Sequence, residues 1–219
     1  RSSALRAAGF GEEAIAALMI EALDWPGFAR LVDHVHRIQA RAALWRRLTL
    51  DAIADLGVAI GFADLAGYTA LSAELEPHEL SALLARWEDI AYDCTVEHAG
   101  RVVKTIGDEV MFTGLAESVI RIGLEIIDAA AADPLVPPVR VGLASGAVIA
   151  RDGDFYGPVV NLASRLTEIA GRGTVVASAS LHEQFAQDPL LLWESIGRRH
   201  LQGIGDVDVY AVTRSGSVA

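Results

Sequence analysis

The sequence of 219 residues is poor in cysteine, in positive charge and in long apolar runs. Its single cysteine, Cys94, excludes an internal disulfide and favours a reducing, cytoplasmic location. No apolar run approaches the roughly 20 residues that span a bilayer, so we expect no transmembrane segment in this chain. The chain has 18 Lys and Arg against 29 Asp and Glu, and its formal charge of −11 argues against general nucleic-acid binding. It starts at Arg1 without Met or a signal-like stretch, and we expect a fragment of a longer polypeptide.

The first 50 residues and the remainder have different patterns. The pattern predicts one helix over residues 12–23 and a second over residues 28–48, separated by the helix-breaking sequence Asp-Trp-Pro-Gly. The apolar residues of the second helix recur at alternating steps of four and three, which makes a narrow seam typical of helices that pair. An ordinary packed helix and a connector that carries a signal both fit this seam.

From Val58 onwards the chain alternates between strands and helices, which predicts an α/β (α+β) domain. We expect the sheet to be covered by helices on one face. The predicted elements are strands at 58–64, 102–106, 110–112, 139–143 and 147–150 and near 175, 191 and 207, and helices from Pro77 past Cys94, at 115–132 and at 156–170. Cys94 lies on the apolar stripe of its helix, where a structural role is expected.

Two carboxylates stand at the ends of predicted strands. Asp64 continues the apolar face of Ile60 and Phe62, where a carboxylate is costly to bury without a partner, unless it caps a helix that begins near Ala66. Asp108 lies at the tip of a predicted hairpin, where it is either a turn residue or a side chain projecting beyond the sheet. Two such oxygen donors are suited to Mg²⁺ together with substrate phosphate.

Four further polar residues are candidates, and each has a simpler alternative. Lys104 shares a strand face with Val102 and Ile106, where it can serve only to protect a sheet edge. Asp154 lies in a short link that reads as a turn. Asn161 and Arg165 are one helical turn apart, as exposed pairs often are. Taken singly, none of these residues indicates a site.

Four ordered segments resemble the catalytic domain of class III nucleotidyl cyclases, specifically bacterial adenylate cyclases. Residues 62–69 (FADLAGYT) are similar to the first metal-binding segment of the family, and residues 101–112 (RVVKTIGDEVMF) resemble its central hairpin. Residues 140–146 (RVGLASG) resemble the strand and turn that follow, and residues 157–166 (GPVVNLASRL) the segment with the transition-state residues. The likeness covers roughly residues 58–212, and four segments in order are far more specific than one glycine motif.

The resemblance implies a role for each of the six candidates. Asp64 and Asp108 resemble the aspartates that bind two divalent cations, Mg²⁺ or Mn²⁺. Lys104 and Asp154 resemble the pair that selects adenine. Asn161 and Arg165 resemble the residues that orient the ribose and stabilise the reacting phosphate. The implied enzyme is an adenylate cyclase, a phosphorus–oxygen lyase that converts ATP to 3′,5′-cyclic AMP and pyrophosphate and prefers ATP to GTP.

The resemblance also implies a ferredoxin-like core and a homodimer with sites shared between the subunits. One chain would supply the two metal-binding aspartates and its partner the other four residues. The link between Ala150 and Asp154 is only three residues long, as in a short-arm bacterial subgroup. We therefore expect a helical regulatory or linker segment over residues 1–56 and a catalytic domain over residues 57–214.

Two other functions compete with this one. A diguanylate-cyclase-like domain shares the Gly-Asp-Glu hairpin but does not explain Asp154 or the pair Asn161 and Arg165. A non-catalytic nucleotide sensor with the cyclase fold is the second alternative, although all six residues have the catalytically competent types. No residue stands out as a general base, and the sequence predicts surface or packing roles for His78, His98, His182 and His200.

Overall fold

The computed structural model describes residues 58–151 and 153–216, and the two helices predicted within residues 12–48 lie outside this part of the chain. The described residues form nine strands and five helices. In chain order these are β1 (Val58–Leu65), α1 (Tyr68–Glu74), α2 (Pro77–Glu97), β2 (Arg101–Ile106), β3 (Glu109–Leu115), α3 (Ala116–Ala132), β4 (Val139–Ser145), β5 (Ile149–Arg151), β6 (Asp154–Tyr156), α4 (Pro158–Ile169), β7 (Thr174–Ser178), α5 (Ala179–Phe185), β8 (Leu191–Leu201) and β9 (Gly205–Arg214).

The main sheet has seven strands in the order β2-β3-β1-β4-β7-β9-β8. Neighbouring strands are antiparallel except for β4 and β7, which are parallel. The short strands β5 and β6 form a separate two-stranded hairpin. The predicted mixed fold is thus confirmed, and β1 lies between β3 and β4 in the sheet.

Helices cover both faces of the sheet, so the expectation of a sheet covered on one face is wrong. Because side chains alternate along β1, Ala59 and Ala63 pack into the core cluster that contains α2 and α3. Ile60 and Phe62 point the other way, into a second cluster with Ala163 of α4. The sequence pattern predicts that β1 is buried. It does not show that α4, much later in the chain, packs against the second face of the strand.

Helix α2 begins where the sequence predicts. Pro77 occupies the first turn, and a capping box joins Glu76 and Glu79, whose Oε2 accepts a hydrogen bond from the Glu76 N–H at 3.0 Å. The buried stripe of the helix includes Trp87 and Cys94, which confirms the structural position of the cysteine.

A glycine in β4 lets α4 pack directly against the sheet. A Cβ at Gly142 would lie 2.2 Å from the backbone nitrogen of Thr167 and 2.4 Å from the carbonyl oxygen of Ala163. These are backbone atoms of α4, and they cannot move aside as the end of a side chain can. Only glycine therefore permits this approach, which sets the position of the helix that carries Asn161 and Arg165.

Several boundaries differ from the predictions. Helix α4 begins at Pro158, and residues 154–156 form strand β6, so Asp154 is the first residue of a strand and not a turn residue. Helix α5 was not predicted. Helix α1 begins after Gly67, so Asp64 is not its N-cap. No helix among residues 58–151 and 153–216 is long and apolar enough to cross a membrane.

Candidate active site

The two strand-end aspartates lie next to each other. Strands β1 and β3 are antiparallel, with Ala63 opposite Val110, so the turn before β3 lies beside the end of β1. The Leu65 N–H donates a hydrogen bond to Asp108 Oδ2 at 3.2 Å, across 43 positions of sequence. Sheet register therefore brings Asp64 and Asp108 together, although they are far apart in the sequence.

A hydrogen bond from a buried tryptophan holds the turn that carries Asp108. Trp87 of α2 is 0% exposed, and its Nε1–H donates a hydrogen bond to the Asp108 carbonyl oxygen at 2.7 Å. The turn itself uses Gly107 in the left-handed region, with φ of 64°. Asp108 is thus held in a defined, partly buried position rather than at a free hairpin tip.

The negative charges of Asp64, Asp108 and Glu109 are close enough to repel one another. Burial raises the pKa of Asp108, and the negative charge of Asp64 raises it further, against the hydrogen bonds that its carboxylate accepts. Burial also raises the pKa of Glu109, together with the charges of Asp64, Asp108 and Glu168, while Lys104 lowers it. Positive charge placed at this group would relieve the repulsion.

Arg140, which the sequence does not mark as a site residue, supplies such a charge. Arg140 of β4 lies directly opposite Asp64 in the register of β1 and β4. Its Nε donates a hydrogen bond to Asp64 Oδ1 at 2.9 Å, and its Nη2 donates one to Oδ2 at 2.7 Å. The guanidinium and the carboxylate thus form a bidentate ion pair. The sequence places Arg140 in one of the four segments, but only the register shows that it faces Asp64.

The structure also brings Lys104 and Asp154 together. Lys104 Nζ donates to Asp154 Oδ2 at 2.6 Å, although the two residues are 50 positions apart. The Phe155 N–H donates to the other carboxylate oxygen at 2.8 Å. Burial by itself raises the pKa of Asp154, but the hydrogen bonds from Lys104 and Phe155, with the charges of Lys104 and Arg101, outweigh it and lower the pKa.

The last two candidates lie on α4. Asn161 is exposed, and Arg165 is one turn further along the same helix and partly buried. Arg165 Nη1 pairs with Glu168 Oε1, three residues further along the helix. Because Glu168 also acts on the pKa of Glu109, the end of α4 lies within electrostatic reach of the β2–β3 hairpin.

The chemistry of Asp64 and Asp108 fits a hard divalent cation. Carboxylate oxygens are the protein ligands that Mg²⁺ prefers, and Asp64 already presents both oxygens to the cationic group of Arg140. No group of three or more His, Cys, Asp or Glu side chains arranged for a metal occurs within the described residues. Substrate phosphates and water commonly supply further oxygen ligands to such an ion.

Comparison with known proteins identifies the family of this chain. The family model of the adenylate and guanylate cyclase catalytic domain matches residues 55–214. The adenylate cyclase of Streptomyces coelicolor is 36% identical over 163 residues, which are 73% of this chain and 43% of that protein. The adenylate cyclase of Streptomyces griseus is 36% identical over 166 residues, which are 74% of this chain and 42% of that protein. The chain thus spans less than half the length of these curated relatives.

The fold also matches a solved cyclase. The crystal structure of the adenylyl cyclase CyaB from P. aeruginosa superimposes with a TM-score of 0.64 at 22% identity, covering 74% of this chain and 95% of that chain. Since the family model extends over most of the chain and includes all six candidate residues, this chain belongs to the adenylate and guanylate cyclase catalytic domain family, the class III nucleotidyl cyclases.

Proposed function

We propose that this chain is an adenylate cyclase that converts ATP to 3′,5′-cyclic AMP and pyrophosphate. The observation that carries the proposal is the contact between Lys104 and Asp154 at 2.6 Å, because a base-reading pair needs one donor and one acceptor side by side. The relatives from Streptomyces coelicolor and Streptomyces griseus are named adenylate cyclases, which supports the same substrate.

Hydrogen-bond polarity explains the choice of base. Adenine N1 is an acceptor and matches the ammonium of Lys104, and the exocyclic amine of adenine is a donor and matches the carboxylate of Asp154. Guanine reverses both groups, so that donor would face donor and acceptor would face acceptor. A site built on such pairs discriminates strongly, since the wrong base leaves buried polar groups unpaired.

Asp64 and Asp108 would hold the divalent cations, Mg²⁺ or Mn²⁺, on which the family generally depends. The chemistry that such ions supply is a lower pKa for the ribose 3′-hydroxyl and neutralisation of charge on the triphosphate. Arg140 competes with a cation for the two oxygens of Asp64. With a cation at Asp64, the guanidinium charge of Arg140 would be available to an anionic substrate.

Arg165 and Asn161 act on the reacting phosphate and the sugar. The bond that forms joins the ribose 3′-oxygen to the α-phosphorus, and the bond that breaks releases pyrophosphate. Arg165 offers a planar and permanently charged fork to the oxygens on which negative charge accumulates. Asn161 orients the ribose through its amide, which contributes position rather than charge.

The active unit that we propose is a homodimer with two shared sites. In each site one chain supplies Asp64 and Asp108, and its partner supplies Lys104, Asp154 and the two residues of α4. Apolar side chains on the α4 side of the sheet are only partly buried in the single chain, and a second copy would cover them. They are Val103, Val148, Ala150, Val159, Val160, Leu162, Ile196 and Val207.

The β5–β6 hairpin extends this apolar surface. Ile149 and Tyr156 lie opposite each other in the hairpin register and are 67% and 50% exposed. Two large apolar side chains on a short projecting hairpin are expected where a partner chain covers them.

Residues 1–56 are proposed to act as a regulatory or linker segment ahead of the catalytic domain of residues 57–214. A site shared between two subunits responds to any segment that changes their relative orientation. Deleting residues 1–50 should therefore change the rate, measured as cyclic AMP formed per chain over a range of pH and salt. An unchanged rate under every condition would remove this part of the proposal.

Subunit complementation tests the shared sites. The Asp64→Ala and Arg165→Ala chains should each be nearly inactive, and an equal mixture should recover about a quarter of wild-type activity, since half the dimers are mixed and each has one intact site. The matched control is a mixture of Asp64→Ala and Asp108→Ala chains, whose defects lie in the same half of the site, and it should not recover. Absence of recovery in the first mixture, with mixed dimers verified, would contradict the shared site.

The activity itself is tested by product. Purified protein with Mn²⁺ and ATP should form 3′,5′-cyclic AMP, and GTP should be a poor substrate. A nucleotide sensor would bind ATP without product, and a diguanylate-cyclase-like enzyme would instead form a cyclic dinucleotide from GTP. Either outcome would replace the proposed function.

A further inference from the structure

Arg101 touches the chain on both sides of Asp154. It is the first residue of β2, and its Nη1 and Nη2 each donate to the Gly153 carbonyl oxygen at 3.2 Å. Its guanidinium carbon lies 5.3 Å from the centroid of the Phe155 ring, a cation–π contact. Arg101 thus contacts the residue before Asp154 and the residue after it.

The hairpin that carries Asp154 is held by side-chain contacts rather than by the backbone ladder of the main sheet. Strands β5 and β6 have three residues each and do not belong to the main sheet. A two-stranded hairpin of this size is at most marginally stable by itself. Its position relative to β2 therefore depends on side-chain contacts between the two elements.

The contacts of Arg101 fit this task. Gly153 has φ of 87°, in the left-handed region that favours glycine, and its carbonyl oxygen accepts both donors of the guanidinium. Phe155 is 7% exposed and belongs to the core cluster of α4, so the ring that the guanidinium contacts is held in a fixed position. Arg101 also lies on the same strand as Lys104, three residues away, so one strand both supplies the donor and holds the acceptor.

We propose that Arg101 is a positioning residue for base selection, which holds the Asp154 carboxylate beside Lys104 through its contacts with Gly153 and Phe155. This inference rests on the proposed function, since it assigns to Arg101 a part in the preference for ATP. Arg101 acts through Asp154, and no contact with the substrate is assigned to it.

The experiment compares Arg101→Ala and wild-type protein in kcat/KM for ATP and for GTP. Loss of Arg101 should lower the ratio of ATP to GTP about tenfold, because misplacing one polar partner weakens only the pairing with the correct base. Arg101→Lys keeps the positive charge but not the planar guanidinium. Its ratio of kcat/KM for ATP to that for GTP should lie between the ratios of the wild type and Arg101→Ala. The matched control is Arg121→Ala, which removes another paired arginine, on α3, and should leave the ratio unchanged.

A double-mutant cycle separates positioning from general support of the fold. In an Asp154→Asn background the Arg101→Ala change should have little further effect on the ratio, because the carboxylate that it positions is absent. The inference would be overturned if Arg101→Ala lowered kcat/KM equally for ATP and GTP. It would also be overturned if Arg101→Ala lowered the ratio of ATP to GTP by the same factor in the wild-type and Asp154→Asn backgrounds.

Amide hydrogen exchange gives a measure that does not depend on the substrate. Arg101→Ala should raise the exchange rate of the amides of residues 154–156, while Arg121→Ala should not. Wild-type protein without a preference for ATP would refute the proposed function and, with it, the part of Arg101 in base selection. Unchanged exchange in the hairpin of Arg101→Ala would refute the role of Arg101 alone.

Discussion

The two groups of site residues are held in place by different means. Asp64, Asp108 and Arg140 belong to adjacent elements of the central sheet, where backbone register sets their positions. Lys104 is on the edge strand β2, and Asp154 is on a separate hairpin, so contacts between side chains join them. We call these the carboxylate group and the base-reading group.

The difference indicates how readily the position of each group can change. Register in a buried sheet shifts only in whole steps and at high cost, so the carboxylate group is rigid. A short hairpin outside the main sheet, held by side-chain contacts, can move with small changes in sequence. In the proposed function, catalysis therefore depends on the part of the fold that resists change, and the choice of substrate on the part that tolerates it.

The largest expected effect breaks the carboxylate group. Asp108→Asn should lower kcat about a thousandfold, since a neutral amide is a poor ligand for a hard divalent cation. The free energy of unfolding at pH 7 should stay the same or rise. The folded pKa of Asp108 lies above its usual value, so the charged carboxylate opposes folding above that pKa, and the penalty disappears as the pH falls below the unfolded value.

Cyclic AMP formation and urea unfolding at two pH values measure both quantities. Asp93→Asn, an exposed change on α2, is the control and should affect neither. A parallel loss of stability and activity in Asp108→Asn would show that the carboxylate has a structural role instead.

The next effect breaks the base-reading group. Replacing Lys104 by Glu and Asp154 by Asn should lower the ratio of kcat/KM for ATP to that for GTP about a hundredfold, because the polarity of the pair no longer matches adenine. Sheet register still holds the carboxylate group in place, so calorimetry should still detect Mn²⁺ binding. Full ATP selectivity in the double variant would mean that other residues read the base.

A third prediction tests the support that the central sheet gives to α4. Gly142→Ala should lower the free energy of unfolding by about 1–3 kcal/mol, because its methyl group would meet backbone atoms of Thr167 and Ala163. Gly114→Ala is the matched control in the same sheet, where the nearest atom to a new Cβ is 3.5 Å away. Urea unfolding of the two variants measures the contrast, and equal stabilities would contradict the close approach of α4.

The smallest effect concerns a region remote from both groups. Burial raises the pKa of the Cys94 thiol to about 11, with the charge of Glu125 as a second cause. At pH 8 only about one thiol in a thousand is then ionised, so iodoacetamide should label the folded protein very slowly and leave its activity unchanged. Mass spectrometry with and without urea measures the rate, and rapid labelling of folded protein would place Cys94 in a more open position.

Much of the fold follows from local pattern. Strand β1 and helix α2 begin at the predicted residues, since an apolar run and a proline with a capping box are signals within a few positions of sequence. Strand β6 was missed because three residues carry too little periodicity to distinguish a strand from a turn. The second face of the sheet was missed because Gly142 admits α4 through a contact distant in sequence.

The candidate site divides in the same way. Asp64 and Asp108 were candidates from the sequence, because a carboxylate at the end of an apolar strand and one in a Gly-Asp turn are both locally visible. Arg140 and Arg101 were not, because an arginine in a strand is unremarkable until its partner is known.

The sequence by itself determined the types of the reactive side chains and the strands, turns and helix on which they stand, since these depend on residues within a turn or a hairpin of one another. Only the tertiary structure decided which of them meet. Antiparallel register sets Arg140 opposite Asp64, and the packing of a separate hairpin sets Asp154 beside Lys104. Such pairings depend on the alignment of strands far apart in the chain, and a shift of one residue would turn each side chain to the other face.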